Sequence, residues 1–223
     1  MNEEEYFTRE RHRMVDEQLC ARGIADHRVL EAMRLIPRHS FVPQENRHLA
    51  YYDCPLPIGQ NQTISQPYIV ALMTQLLDLR GTETVLEIGT GSGYQAAILS
   101  LLAREVHTVE RHLHLAENAM QTLIGLGYTN VFVHIGDGTQ GWQENAPYQA
   151  IIATAAAPKV PQSLHDQLAD GGKLVIPVGQ RGMQFLERWF RHGDKFESEQ
   201  CAPVAFVPMI GKYGWKEESW EWW

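Results

Sequence analysis

The sequence predicts an α/β fold: a doubly wound, mainly parallel sheet with helices on both faces and an antiparallel C-terminal edge. Short apolar runs alternate with helical patterns between residues 84 and 178. A glycine-rich loop directly follows the first of these runs, and two strand patterns near the C-terminus have no helix between them. Parallel strands joined by helices, with an antiparallel pair added at one edge, account for this order.

The N-terminal part of the chain is predicted to be helical. Apolar residues recur there at helical spacing, with an interruption at Gly23. We expect Asp26 to cap the second helix, which should end by Pro37. The segment 51–66 that follows is rich in Pro, Gly, Asn and Gln, and it is long for a plain connection. Because long ordered loops often have a function, we expect one for this segment.

The central part alternates between strands and helices. A helix should follow Pro67, with an apolar face formed by Ile69, Leu72, Met73, Leu76 and Leu77. The predicted strands cover residues 85–88, 106–110, 131–135, 150–153 and 173–178. The predicted helices cover residues 96–103, 113–126 and 160–168. Strands at 185–190 and 204–207 should form the antiparallel edge pair.

Composition and charge exclude several classes of protein. The formal net charge is −8, and an acidic surface repels phosphate, so we expect no nucleic-acid partner. The cysteines lie far apart without Cys-x-x-Cys spacing, which indicates reduced thiols rather than a disulfide or zinc site. No apolar run approaches the ~18 residues of a membrane span, and the start is acidic rather than signal-like. We therefore expect a cytoplasmic, monomeric protein without a metal site or a membrane partner.

The most informative segment is 87–93, which reads Glu-Ile-Gly-Thr-Gly-Ser-Gly between a predicted strand and a predicted helix. Residues without a Cβ let the backbone turn sharply and lie against a ligand, whose atoms can meet the loop amides. Glu110 ends the next strand, about twenty positions further on, where an acid can accept hydrogen bonds from ribose hydroxyls. These features predict a nucleoside ligand.

Two kinds of nucleoside site compete at this point. A dinucleotide loop requires Gly-x-Gly-x-x-Gly, but position 94 is Tyr94 and the third glycine is Gly93. The pattern Glu-x-Gly-x-Gly-x-Gly is the methyltransferase form, and a nicotinamide oxidoreductase is also disfavoured because no Tyr-x-x-x-Lys pair is present. Asp137 lies between glycines after the third strand and could reach an adenine amino group. Simple turns without a ligand and a solvated Glu110 remain the alternatives.

Further motifs occur in one order along the chain. They are Pro-Arg-His-Ser-Phe-Val-Pro at 37–43, Ala-Tyr-Tyr-Asp at 50–53, Pro-Leu-Pro-Ile-Gly at 55–59 and Gln-Thr-Ile-Ser-Gln-Pro at 62–67. With the glycine loop and Gly-Asp-Gly-Thr at 136–139, the chain resembles the protein-L-isoaspartate O-methyltransferase family from about residue 10 to about residue 210. The 62–67 motif is the specific part, because methyltransferases of many substrates share the glycine loop.

The resemblance implies a Rossmann-like, S-adenosyl-L-methionine-dependent methyltransferase fold and a repair function. Such an enzyme methylates the free α-carboxylate of L-isoaspartyl residues in damaged proteins or peptides, and the ester then closes to a succinimide. By the family pattern, Ser65 is the catalytic, active-site serine. The implied cofactor-binding residues are Gln62, Thr63, Ile64, Glu87, Gly89, Thr90, Gly91, Ser92, Gly93, Glu110, Arg111, Asp137 and Gly138. Many bacterial members have His-Gly where this chain has Gln60 and Asn61, which puts details of the substrate loop in doubt.

The chemistry limits what the site must contain. An α-carboxylate has an ordinary pKa of ~3.5 and is already ionised at neutral pH, so methyl transfer needs no general base. We expect the histidines near the sheet to be structural or surface residues: His107, His112, His114 and His134. The reaction needs alignment and exclusion of water, which predicts a lid formed by the 51–66 segment. Ser65 would orient the substrate carboxylate, cap the helix near Pro67, or do both.

One domain is expected for the whole of residues 1–223. Residues 1–66 would form N-terminal helices and the lid, 67–182 the cofactor-binding core, and 183–223 the C-terminal strands and tail. The segment 204–208 could bind an extended peptide through its backbone, or be an ordinary edge strand. Two rival functions remain: a methyltransferase with another acceptor, either a small molecule, a protein or an RNA that the acidic charge disfavours, and a non-catalytic nucleoside-binding module.

Overall fold

The structure, a computed structural model, describes residues 2–217. Its N-terminal part is helical as predicted, with α1 (Glu3–Met14) continuing through a π-helical turn and a 3-10 turn, and α2 (His27–Leu35) following. Gly23 ends the first helical stretch at φ +87°, a conformation that a side chain disfavours. The Asp26 carboxylate caps α2 by accepting a hydrogen bond from the Arg28 amide at 2.9 Å, which confirms the predicted cap.

Two short strands, β1 (Leu56–Gly59) and β2 (Gln62–Ile64), form a hairpin inside the segment predicted to be irregular. The hairpin was not predicted because strands of four and three residues are too short for an alternation of apolar and polar residues to be recognised. Gln60 and Asn61 form its exposed tip at φ +52° and +55°, in the left-handed region that Asn and Gly adopt most readily. The departure from the family's His-Gly therefore lies at the tip of this hairpin.

A seven-stranded sheet follows α3 (Pro67–Leu77), and it confirms the predicted fold class. Its strands are β3 (Thr84–Ile88), β4 (Glu105–Glu110), β5 (Val131–Ile135), β6 (Tyr148–Ala153), β7 (Leu168–Gln180), β8 (Met183–His192) and β9 (Lys195–Val204). The helices among them are α4 (Tyr94–Ser100), α5 (Leu113–Gly125) and α6 (Gln162–Gln167). The order across the sheet is β5-β4-β3-β6-β7-β8-β9, parallel through β7 and antiparallel for the last two strands.

The central strand β3 is buried along its whole length, which explains its unbroken apolar run. Val85 and Leu86 point to opposite faces of the sheet and belong to two separate apolar clusters. Fully burying a side chain of this kind contributes roughly 1.5–3 kcal/mol. Helices covering both faces therefore fix β3 in place, and with it the glycine loop at its carboxyl end.

The helix α3 buries more of its circumference than predicted. Its fully buried residues include Val70, Met73, Thr74 and Leu77, whereas Ile69, Leu72 and Leu76 are only half-buried. The reason is that α3 contacts β6 and β7 on one side and the N-terminal helices on another. A single apolar stripe cannot describe a helix packed between two layers. No helix in the described part of the chain is both long and apolar enough to cross a bilayer.

The predicted strand at 204–207 is wrong, because β9 is Lys195–Val204 and residues 205–207 lie outside the sheet. Most of β9 is exposed and polar, so it lacks the apolar signal from which a strand is predicted. The chain then turns across the carboxyl ends of the parallel strands. There the Ala156 amide donates to the Val207 carbonyl at 2.8 Å, and the Met209 amide donates to the Ala156 carbonyl at 2.8 Å.

Candidate active site

The glycine loop follows β3 with its three glycines in the left-handed region, at φ +93° for Gly89, +54° for Gly91 and +88° for Gly93. A Cβ added at Gly89 would lie 2.6 Å from the hydroxyl oxygen of Thr154, so an alanine there would require the Thr154 side chain or the loop to shift. The Thr90 hydroxyl lies 2.7 Å from that of Thr108 on β4. The loop is thus held closely against the ends of the neighbouring strands.

Glu110, the last residue of β4, is buried and fixed by two backbone donors. Its Oε2 accepts a hydrogen bond from the Gly91 amide at 2.9 Å, and its Oε1 accepts one from the His112 amide at 3.0 Å. Each carboxylate oxygen has a second lone pair, so both remain able to accept from a ligand hydroxyl. The predicted ribose acceptor is therefore joined directly to the glycine loop.

Three spaces adjoin at the carboxyl edge of the sheet. The loop cavity is lined by Gln62, Thr63, Ile88, Gly89, Gly91, Val109, Glu110, Arg111, His112, Gly138, Thr154, Ala155 and residues 207–210. The inner cavity is lined by Thr63, Ile64, Ser65, Val70, Glu87, Gly89, Thr90, Gly91, Ser92, Tyr94, Gln95 and Thr154. The strand groove is lined by Arg22, Pro55, Thr63, Ser65, Gln66, Tyr68, Ile69, Thr154 and residues 202–207.

Thr63 and Thr154 line all three spaces, and Ser65 lines both the inner cavity and the strand groove. The β1–β2 hairpin supplies Thr63 from above the glycine loop, and a Cβ at Gly91 would lie 3.4 Å from the Ile58 side chain. The segment predicted to be a lid therefore lies across the loop. A ligand in the loop cavity and one in the strand groove would meet near Thr63 and Ser65.

Ser65 does not cap the following helix, so that alternative is wrong. The N-cap residue of α3 is Gln66, and it makes no side-chain capping bond. Instead the Asp53 carboxylate accepts a hydrogen bond from the Tyr68 amide at 3.2 Å, from a loop distant in sequence. Within residues 2–217 the Ser65 hydroxyl has no hydrogen-bond partner, so it is available to a substrate in the groove.

Glu87 is the fully buried acid of the glycine-loop motif and lines the inner cavity. Neither of its carboxyl oxygens has a hydrogen bond of standard geometry among the described residues, although the Thr108 hydroxyl lies close enough to affect the pKa of Glu87. Burial raises the pKa of Glu87 to about 8; the nearby Thr108 hydroxyl opposes this rise and the Glu110 charge adds to it. A buried acid without partners is costly, and it indicates a group reserved for a ligand.

Two predicted site residues lie outside the loop and inner cavities. Gly93 begins α4, and a Cβ there would lie 3.3 Å from side-chain atoms of Ala119 and Leu123, so it allows close helix packing. The Asp137 carboxylate accepts hydrogen bonds from the Thr139 amide at 2.9 Å and the Lys212 amide at 2.8 Å. It faces the C-terminal segment, while its neighbour Gly138 lines the loop cavity. A contact between Asp137 and an adenine group remains a prediction.

Comparisons with known proteins show to which family the chain belongs. The profile of the protein-L-isoaspartate(D-aspartate) O-methyltransferase family matches residues 9–214. The chain belongs to this family. Among its relatives is protein-L-isoaspartate O-methyltransferase 1 of Syntrophobacter fumaroxidans, 54% identical over 94% of this chain and 98% of the relative. The Dictyoglomus thermophilum protein-L-isoaspartate O-methyltransferase is 55% identical over 93% of this chain and 94% of its own.

Solved structures show the same fold. A protein-L-isoaspartate O-methyltransferase superposes with a TM-score of 0.84 and 26% identity, over 93% of this chain and 67% of that one. A Plasmodium falciparum protein described as a putative protein-L-isoaspartate O-methyltransferase, solved in complex with S-adenosyl-L-homocysteine, has a TM-score of 0.76 and 24% identity. That superposition covers 88% of this chain and 96% of the P. falciparum chain. This family member therefore has the S-adenosylmethionine-dependent methyltransferase fold.

Two polar residues of this family member's site were missed from the sequence. The Thr154 hydroxyl donates to the Gly89 carbonyl at 2.6 Å and lines all three spaces. Because Thr154 directly follows β6, the rule that ligands bind beyond strand carboxyl ends would have found it. Gln95 lines the inner cavity and donates to the Thr74 hydroxyl at 2.9 Å. No sequence signal distinguishes it from an ordinary helix residue.

The histidines near the sheet lie in two different environments. His107 and His134 lie 3.0 Å apart between ring nitrogens, and His134 stacks on Trp142, away from the three spaces. Burial and the neighbouring His107 lower the pKa of His134 to about 4, so this pair is a neutral structural contact at pH 7. His112, predicted to be structural or on the surface, instead lines the loop cavity beside Glu110.

Proposed function

We propose that this protein methylates the free α-carboxylate of L-isoaspartyl residues in damaged proteins, using S-adenosyl-L-methionine, and so starts their repair through a succinimide. Family membership and the names of the relatives support this activity. The observation within the structure that supports it is the position of Ser65, which lines both the inner cavity beside the glycine loop and the open strand groove.

The residues present fit the methyl donor. Glu110 has free lone pairs for the ribose hydroxyls, and the glycine loop offers backbone without side chains. Gln62, Thr63, Arg111 and Gly138 line the same cavity, so all four belong to the proposed cofactor site. The buried carboxyl of Glu87 adds an acid to the lining of the inner cavity, which shares Gly89 and Gly91 with the loop cavity proposed for the donor. When bound, the donor supplies an electrophilic methyl group on a sulfonium.

Ser65 then acts as the orienting residue. Its hydroxyl donates a hydrogen bond to one oxygen of the substrate carboxylate, which leaves the other oxygen facing the inner cavity. No base is needed, because the carboxylate is ionised at neutral pH. Correct alignment of two reactants can lower a barrier by several kcal/mol, up to about 7–11 kcal/mol in the best cases.

Water exclusion is the second contribution of the chain. Methyl transfer brings a cation and an anion together, and water stabilises the separated charges more than the transition state. The β1–β2 hairpin covers the glycine loop through Ile58 and Thr63. Residues 202–207 form the far wall of the strand groove, where their backbone can bind an extended peptide. The Val207 carbonyl is already bonded to Ala156, and the Phe206 amide and carbonyl are bonded to the Gln184 side chain, which leaves residues 203–205 for that role.

The test uses purified protein, labelled S-adenosylmethionine and two peptides that differ only in an aspartyl or an isoaspartyl linkage. We expect base-labile label on the isoaspartyl peptide alone. Only in the isoaspartyl linkage does the peptide bond run through the side-chain carboxyl, which leaves the α-carboxylate of that residue free. Equal labelling of both peptides would favour the rival acceptor. Donor binding without any transfer would favour a nucleoside-binding module.

Several expectations from the sequence stay predictions. They are the monomeric state, the cytoplasmic location, the lack of nucleic-acid and membrane partners, and the division of the chain at residues 66 and 182.

A further inference from the structure

The roles proposed for Ser65 and for the β1–β2 hairpin do not involve the protonation state of the carboxyl of Glu87. Its side chain is fully buried at the carboxyl end of β3 and faces the inner cavity beside Ser65. Neither oxygen has a hydrogen bond of standard geometry within residues 2–217, and the Thr108 hydroxyl offsets only part of the effect of burial on the pKa of Glu87. An ionised carboxylate in such a place is strongly disfavoured, whereas the neutral acid is tolerated.

The groups around Glu87 do not compensate a negative charge. From β4 it meets the Glu110 carboxylate and the Thr108 hydroxyl, whereas the Tyr94 hydroxyl of α4 is directed to the Met33 sulfur in the N-terminal helices. The other polar groups lining the inner cavity are the hydroxyls of the hairpin end and the loop, Gln95, and Thr154 after β6. Lysine, arginine and histidine are absent from that lining. With the pKa of Glu87 near 8, roughly 90% of the free protein holds the proton at pH 7.

We propose that Glu87 is a proton-exchange site that selects the methyl donor over the product. Its carboxyl holds a proton in the free protein, releases it to solvent when the cationic donor binds, and regains one once the product has formed. This inference rests on the proposed function, since it takes S-adenosylmethionine as the donor. The donor has one positive charge more than the thioether product, and that charge is lost in the transfer itself.

The charge difference gives the direction of the pH effect. An opposite charge within about 4–6 Å lowers a carboxyl pKa by about 1 to 3. Glu87 would then titrate at a lower pH in the donor complex than in the free protein. Donor affinity therefore rises with pH until the pKa of the free protein, about 8, and is constant above it. Product affinity should be nearly independent of pH over the same range.

The same proton affects the stability of the ligand-free protein. The pKa of a glutamate in the unfolded chain is about 4.3, well below that of folded Glu87. The stability contributed by the proton is therefore complete below about pH 4.3 and is lost as the pH rises through about 8. Glu87→Gln, which carries no proton to lose, should have a higher unfolding midpoint than the wild type at pH 8.5 and a similar one at pH 5.

Calorimetry in buffers of different ionisation enthalpy tests the proposal on the intact protein. We expect about 0.4 to 0.9 proton released per S-adenosylmethionine bound at pH 7, for a pKa lowered by about 1 to 3 from about 8, and close to none per S-adenosylhomocysteine. Glu87→Gln should abolish the release and reduce the preference for the donor at pH 7 by about 2- to 90-fold, according to the size of the pKa shift. Subtracting the proton release of the variant from that of the wild type also removes the contribution of the ligand's own amino group. Glu105→Gln, an acid at the opposite end of the sheet, should behave as the wild type.

Equal proton release with both ligands would overturn the proposal, as would release that persists in Glu87→Gln. If the variant fails to fold, the infrared carbonyl band of a protonated carboxyl in the wild type decides the question. That band should disappear on addition of the donor and persist with the product, and any other pattern refutes the proposal. A protein that methylates isoaspartyl peptides without releasing a proton would refute this inference while leaving the proposed function intact. A protein that binds no donor would instead refute the proposed function.

Discussion

At the scale of single residues, the site depends on polar groups whose partners are missing in the ligand-free protein. Ser65 has a hydroxyl without a hydrogen bond, and Glu87 has a carboxyl without one, among residues 2–217. Glu110 is the opposite case, because two backbone amides fix its carboxylate before any ligand arrives. The first two residues are thus poised for the reacting groups, and the third for the part of the donor that does not react.

Ser65→Ala separates orientation from donor binding. Removing the hydroxyl should lower turnover of an isoaspartyl peptide by about 100-fold, since misplaced reactants lose the gain from alignment. Donor affinity, measured by calorimetry, should change less than twofold. Ser198→Ala, an exposed serine on β9, is the matched control and should leave both quantities unchanged. A comparable loss of donor affinity in Ser65→Ala would instead assign Ser65 to the cofactor site.

At the scale of elements, the glycine loop combines a backbone requirement with a steric one. Gly89 and Gly81 have nearly the same φ, +93° and +96°. A Cβ at Gly89 would lie 2.6 Å from the Thr154 hydroxyl oxygen, whereas a Cβ at Gly81 would meet nothing within 4 Å. The two positions therefore differ in contact with Thr154 and share the cost of a left-handed conformation.

Gly89→Ala and Gly81→Ala measure that difference. Gly81→Ala should destabilise the protein by about 1–2 kcal/mol, the cost of a left-handed alanine, with donor affinity unchanged. Gly89→Ala should cost more than this and weaken donor binding by at least tenfold, because the loop must move away from Thr154. Chemical denaturation and calorimetry give both values. Equal effects of the two substitutions would show that the contact with Thr154 is unimportant.

At the scale of the whole molecule, the sequence predicts the parallel core well because each buried strand has its own apolar run. The order β3 to β7 with helices between them, the caps at Gly23 and Asp26, and the loop with Glu110 all depend on neighbours in sequence. The features that the sequence did not reveal lack such a local signal. The hairpin strands are too short to show alternation, and β9 is too polar to be recognised as a strand. The placement of Asp137 depends on a distant segment, through its bond to Lys212.

The same distinction holds for the candidate site. Apart from Gly93 and Asp137, the residues singled out from the family pattern line the loop or inner cavity. Thr154 was missed although it directly follows β6, whereas the segment 207–210 was missed because tertiary folding alone brings it over the glycine loop. The assembly of the three spaces is thus a property of the whole fold. Three parts of the chain, the hairpin, the parallel core and the C-terminal segment, each supply one wall.

The central claim is that the donor lies in the loop cavity and the substrate carboxylate lies against Ser65. A crystal structure of the protein with S-adenosylhomocysteine and an isoaspartyl peptide tests it most directly. We predict that the ribose hydroxyls lie on Glu110, and that a carboxylate oxygen of the isoaspartyl residue lies within hydrogen-bond distance of the Ser65 hydroxyl. A nucleoside bound away from residues 87–93, or a peptide outside the strand groove, would contradict the account.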